Sequence, residues 1–145
     1  MALSPVEIRQ AVAASIAGTL GPDGWRESPW AYDLFGRSGR ELRHLEYAVG
    51  VPQTTPTRRD EQRRSVGANV LTTVSVRWSY ALQADGQVAG YDAALLGEAA
   101  VIDAVLAVGT LRPEHVDVTR RAGADGVTVT GQLDFAVPHL WVLDP

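Results

Sequence analysis

The side chains here that could do chemistry are three histidines, thirteen basic residues and seventeen acids. Every basic residue is an arginine, and there is no cysteine. Thiolate metal sites, disulfides and cysteine nucleophiles are therefore excluded. Without lysine, so are a Schiff-base amine and the lysine of a Walker phosphate loop. His44, His115 and His139 are not spaced one helical turn apart, and no H-E-x-x-H pattern occurs. Each reads as a surface or strand-edge residue, and a shared metal site would need them to converge in space.

The serines offer no nucleophile elbow, and Gly36-Arg37-Ser38-Gly39 resembles one only in composition. Gly86-Gln87-Val88-Ala89-Gly90 follows a strand pattern and opens a helical one, a place where an anion could meet free N–H groups. It lacks the remaining glycine of a dinucleotide fingerprint. Asp92 and Glu98 share a helical pattern without pairing, and read as parts of a solvated face. We expect no catalytic, metal or cofactor-binding residue, no cofactor, and a chain that is not an enzyme.

The most distinctive charged segment is Arg58-Arg59-Asp60-Glu61-Gln62-Arg63-Arg64, four arginines against two acids, a local charge of +2. It reads either as a solvated loop or as a contact with a neighbouring subunit, DNA or an acidic surface. The planar guanidinium fork suits carboxylate and phosphate alike. Arg58, Arg59, Arg63 and Arg64 are the candidate contact residues.

The elements that must position these groups follow from periodicity. Ser4-Pro5-Val6-Glu7 is a capping box with proline at the first helical position. Val6, Val12, Ile16 and Leu20, with Ala13 and Ala17, mark a helix over residues 5–20, ended by Gly21-Pro22. Residues 21–43 read as a loop, with Trp25 and Trp30 as small anchors beneath it. Leu45, Tyr47, Val49 and Val51 alternate as on a strand. Val70, Thr72, Val74, Val76, Trp78 and Tyr80 form the core face of a longer one, with a mostly polar opposite face in water. Pro52, Pro56 and the charge cluster predict that residues 52–66 leave the sheet as a projecting, mobile loop.

A second helix is expected over 88–107, buried through Ala94, Val101, Val105 and Val108. His115–Arg120 forms a third strand, and Gly123-Ala124-Asp125-Gly126 a turn. In a fourth strand Val127, Val129, Leu133, Phe135 and Val137 face the core. The expected fold is α+β, a two-layer sandwich in the order α-β-β-α-β-β. An antiparallel-rich sheet carries both helices on one face, within a single domain over 1–145. Trp25, Trp30, Phe35 and Trp141 find no obvious place in so small a core.

Composition agrees with a globular chain: 145 residues, 46% of them hydrophobic, net charge −4. That balance does not suit phosphate binding by the chain as a whole. The N-terminus lacks the pattern of a signal peptide. The longest apolar run, Ala99 to Val108, is interrupted by Asp103 and falls short of the roughly 18 residues that span a bilayer. A cytoplasmic chain without membrane contact is expected.

Taken in order, a helix, a long hairpin with a polar loop, the stretch Val74-Ser75-Val76-Arg77-Trp78-Ser79-Tyr80, an alanine-rich helix opening Tyr91-Asp92-Ala93-Ala94-Leu95, and the closing strand Gln132-Leu133-Asp134-Phe135-Ala136-Val137 form a pattern. It resembles the tail-terminator, or tail-completion, proteins of tailed bacteriophages and related gene-transfer particles. The resemblance spans nearly the whole chain in element order, and no residue-level motif comes with it. It implies a structural virion protein that forms a ring, usually a hexamer, on the tail tube. Such a ring stops tube polymerisation and offers a surface to the head or neck. The implied partners are other copies of the chain, the tail tube protein and a head-neck or connector protein, with DNA only passing through the lumen. The implied place is the tail-neck region of a virion assembled in the host cytoplasm. Another neck, connector or tail subunit, or a small-ligand-binding α+β domain, stands as the alternative.

Overall fold

A computed structural model describes residues 2–29, 43–56, 69–82, 86–122 and 126–141. The elements are β1 (Ala2–Leu3), α1 (Pro5–Leu20), a 3-10 turn (Gly21–Asp23), β2 (Arg26–Glu27), β3 (Glu46–Pro56), β4 (Asn69–Ala81), α2 (Gln87–Leu106), β5 (Glu114–Ala122) and β6 (Thr128–Trp141). The fold is α+β: one mixed sheet and two helices. The four long strands pair antiparallel in the order β3-β4-β6-β5. The short β1 and β2 pair parallel, with β6 and β3 respectively. Strands of two residues carry no readable period, so the expected order α-β-β-α-β-β omitted them.

Helix α1 begins as its capping box predicts. Glu7 N–H donates to Ser4 Oγ at 3.2 Å, and Ser4 N–H to Glu7 Oε1 at 3.1 Å. Its buried stripe is Ile8, Val12, Ala13, Ile16 and Leu20. Val6, expected on that stripe, is 61% exposed. Six residues before Val12 it sits about 240° around the helix, whereas Ile8 lies one turn below. Ala17 is also exposed.

The core-facing residues of both helices join one face of the sheet in one hydrophobic cluster. Trp78 and Phe135 are buried in it, as their strand phase predicts. Trp25 belongs to it too: the ring packs on α2 at Gly97, where an added Cβ would lie 2.8 Å from it. Trp30 and Phe35 lie outside the described residues.

Two expectations fail in the sheet. Strand β3 does not end before Pro52. It continues to Pro56, paired with β4 from Gln53↔Thr73 to Pro56↔Val70, after an irregularity between Gly50 and Gln53. Prolines are tolerated where their missing N–H points away from the ladder. Residues 52–56 are therefore strand, and residues 57–66 of the expected loop lie outside the described residues. The second failure is the polar face, which is not uniformly wet: Ala48, Ser75 and Ser79 are buried on it. Short side chains on inner strands sink between longer neighbours such as Arg77 and Gln132.

Candidate functional site

Arg58, Arg59, Arg63 and Arg64 lie outside the described residues. Their attachment is described: the chain leaves β3 at Pro56 and re-enters β4 at Asn69. Pro56 pairs with Val70, so both ends of the segment are anchored at one end of the sheet. This is also the end where β6 reaches His139 and Leu140.

The densest polar cluster formed by described residues lies on the core face, and its key member was misread from sequence. Glu98 is 3% exposed, not part of a solvated face. Arg120 of β5 holds it through Nε, 3.1 and 3.0 Å from the two carboxylate oxygens, and Nη2, 2.6 Å from Oε1. Trp78 Nε1 of β4 donates to Oε2 at 3.2 Å. These hydrogen bonds hold the Arg120 guanidinium above its ordinary value, while burial opposes the shift. Both carboxylate oxygens are occupied by donors, so the group works as an anchor, tying α2 to β4 and β5. The signal was present in the sequence. Ala94, Val101 and Val105 define a buried stripe whose missing member, by helical spacing, is position 98. Asp92, its supposed companion, is exposed.

A second cluster is a hydrogen-bonded chain. His139 is 6% exposed, and its Nδ1 lies 2.9 Å from the Leu140 carbonyl. A carbonyl only accepts, so Nδ1 carries a proton, and with the proton there and Nε2 bare, Nε2 accepts from Thr72 Oγ1 at 2.7 Å. Thr72 in turn accepts from Thr54 Oγ1 at 2.9 Å. Beside this chain is a cavity of about 560 Å³ lined by Leu3, Gly109, Thr110, Leu111, Arg112, Pro138 and His139.

His44 and His139 do not meet. His44 Nδ1 accepts from the Ala81 N–H at 3.0 Å, and its ring stands edge-on to Tyr80. Val70, the register partner of His139, is eleven residues from Ala81 along β4, roughly 36 Å at the usual strand rise. His115 falls at the irregularity between Glu114 and Val116. Among the described residues no group of three or more potential ligands gathers around a metal position. The glycines at the start of α2 have a packing reason. Gly86 takes the left-handed conformation at the N-cap, and a Cβ on Gly90 would press on Leu82 at 3.3 Å. No helix among the described residues is long and apolar enough to cross a membrane.

No protein-family model matches the chain, and no curated protein does. Among solved structures, a crystal structure of a protein from Akkermansia muciniphila aligns with a TM-score of 0.41 at 8% identity, covering 100% of this chain and 81% of that one. A second, a structure without its transmembrane region from the same organism, aligns with a TM-score of 0.41 at 8% identity, covering 100% and 89%. Likeness at this level assigns neither a family nor a function.

Proposed function

We propose that this chain is a structural subunit of a phage-like particle, a tail terminator. On this reading it forms a homo-oligomeric ring of six that caps the tail tube, stops its polymerisation and presents a docking surface to the head or neck. The observation that carries the reading is the β3–β4 hairpin. Its strands of eleven and thirteen residues tether the arginine segment at one end of the sheet. A second observation supports self-association. Helix α2 is apolar around most of its circumference, with Val88, Tyr91, Leu96 and Leu106 exposed. A helix of that composition is normally covered on more than one side.

In a ring each subunit uses two different surfaces. One includes Arg58, Arg59, Arg63 and Arg64, set against acidic residues of the neighbour, which makes assembly sensitive to salt. The test is native mass by light scattering at low and high salt, for wild type and Arg63→Glu/Arg64→Glu, with electron microscopy of the particle. A ring that weakens in the variant and in high salt supports the reading. A wild-type chain that stays monomeric, and is missing from any ring in the particle, overturns it. Another neck, connector or tail subunit shares this architecture, and microscopy separates the two by position. The cavity beside His139 favours a different reading, a small-ligand-binding domain. Its test is ligand-induced chemical-shift change confined to Leu111, Arg112 and His139.

A further inference from the structure

We propose that two copies of this chain join through the free edges of β5, antiparallel about a two-fold axis at Thr119. Strand β5 is bonded to β6 on one side, and no described strand pairs with its other side. It runs nine residues without proline, whereas β3 carries Pro52 and Pro56. An unpaired edge of that length presents a row of backbone donors and acceptors that must be blunted or paired.

The side chains select the pairing. Asp117, Thr119 and Arg121 share the face of β5 turned away from the helices, and all three are exposed. Neither Asp117 nor Arg121 has an ion pair among the described residues. Within its own chain Asp117 lies directly opposite Asp134. Like charges so placed repel. Asp134 is relieved by Ser75 Oγ at 2.6 Å and Gln132 Nε2 at 3.3 Å, while Asp117 has no such donor among the described residues.

An antiparallel β5 pair centred on Thr119 sets Asp117 against the partner's Arg121, and, by symmetry, Arg121 against the partner's Asp117. Thr119 meets the partner's Thr119, a favourable cross-strand pair. Centring on Val118 instead sets Asp117 against the partner's Thr119 and loses both charge pairs. Centring on Arg120 brings two guanidinium groups together. The Thr119 register therefore supplies the cation that Asp117 lacks, and continues one row from Ser75 through Asp134 and Asp117 to the partner's Arg121. A contact of this kind closes with two copies. It is independent of the ring proposed above and uses none of the arginine segment.

The absence of cysteine makes a clean reporter possible. Directly opposed residues of an antiparallel pair have Cα atoms about 4.5–5.5 Å apart, within disulfide range. Full-length Thr119→Cys should form a disulfide-linked dimer under mild oxidation, whereas Thr19→Cys, exposed on α1, should not. By sedimentation equilibrium across a concentration series, Asp117→Arg and Arg121→Asp should each raise the dimer dissociation constant by about tenfold or more, because each creates two like-charge pairs. The double exchange Asp117→Arg/Arg121→Asp should restore dimerisation. Circular dichroism checks that each variant folds. No cross-link at position 119, or single reversals that leave the dissociation constant unchanged, overturns the proposal. So does a larger assembly that responds to Arg63→Glu/Arg64→Glu but not to these exchanges, and that outcome leaves the ring reading standing.

Discussion

The indole of Trp78 lies over the α-carbon of Gly131, its cross-strand partner on β6, so closely that a methyl group there would overlap Nε1 and the neighbouring ring carbons. Arg120 is the partner of Gly131 on its other side. The glycine is thus the gap through which the tryptophan on β4 and the arginine on β5 reach the same carboxylate, Glu98 of α2. Gly131→Ala should destabilise the protein by about 3 kcal/mol, at the upper end for overpacking, because a fully buried ring has nowhere to move. Gly18→Ala, on α1 with nothing within 4 Å of the added carbon, should instead stabilise by about 0.5–1 kcal/mol. Urea denaturation of the two variants checks the opposite signs.

Breaking the Glu98 anchor is expected to be costly in an uneven way. Arg120→Met leaves a buried carboxylate with one neutral donor, and should cost about 2–3 kcal/mol, less than for a fully buried pair because the Arg120 side chain is 41% exposed and screened by water. The joint replacement Glu98→Leu/Arg120→Met removes both charges and should recover a large part of that loss. Equilibrium unfolding, followed by the fluorescence of the tryptophans, gives the comparison. Equal losses in the single and joint variants would show that the pair matters only through packing.

Stability should fall at alkaline pH through Tyr47. Burial, and then the nearby Glu27 charge, raise its pKa above the ordinary 10.0. The unfolded chain therefore loses this proton first. The stability linked to Tyr47 is complete below the unfolded value and is lost as pH rises through the folded one. Urea midpoints between about pH 9 and pH 11 should decline less steeply in Tyr47→Phe than in wild type.

The Thr54–Thr72–His139 chain predicts a specific cost. Thr72→Val keeps the shape but leaves Nε2 of a buried imidazole without its donor, and should destabilise by about 1–3 kcal/mol. In nitrogen-15 spectra at neutral pH, the wild-type ring of His139 should show the proton on Nδ1. A ring protonated only on Nε2 would contradict the direction assigned to the chain.

Much of this architecture is legible in the sequence. The capping box placed the start of α1 because its bonds join residues three apart. Alternation placed the core faces of β4 and β6 because successive side chains on a strand point to opposite sides. The antiparallel pairings of β3 with β4 and of β5 with β6 match the two expected hairpins, while the expected order lacked β1 and β2. Local spacing also held the clue to Glu98, hidden because an acidic side chain suggests water and its counterion stands twenty-two positions away.

What only the tertiary structure decided was everything that depends on elements meeting. Strand β3 runs past Pro52 because β4 lies beside it and supplies the ladder. Trp25 is core because α2 presents a glycine to it. The short parallel strands β1 and β2 exist only because β6 and β3 are there to pair with. Asp117 and Asp134, seventeen residues apart, became opposed neighbours through the register of β5 on β6. Chain-local propensity acts over a few residues, whereas burial, ion pairing and strand register are set by contacts between segments far apart in sequence.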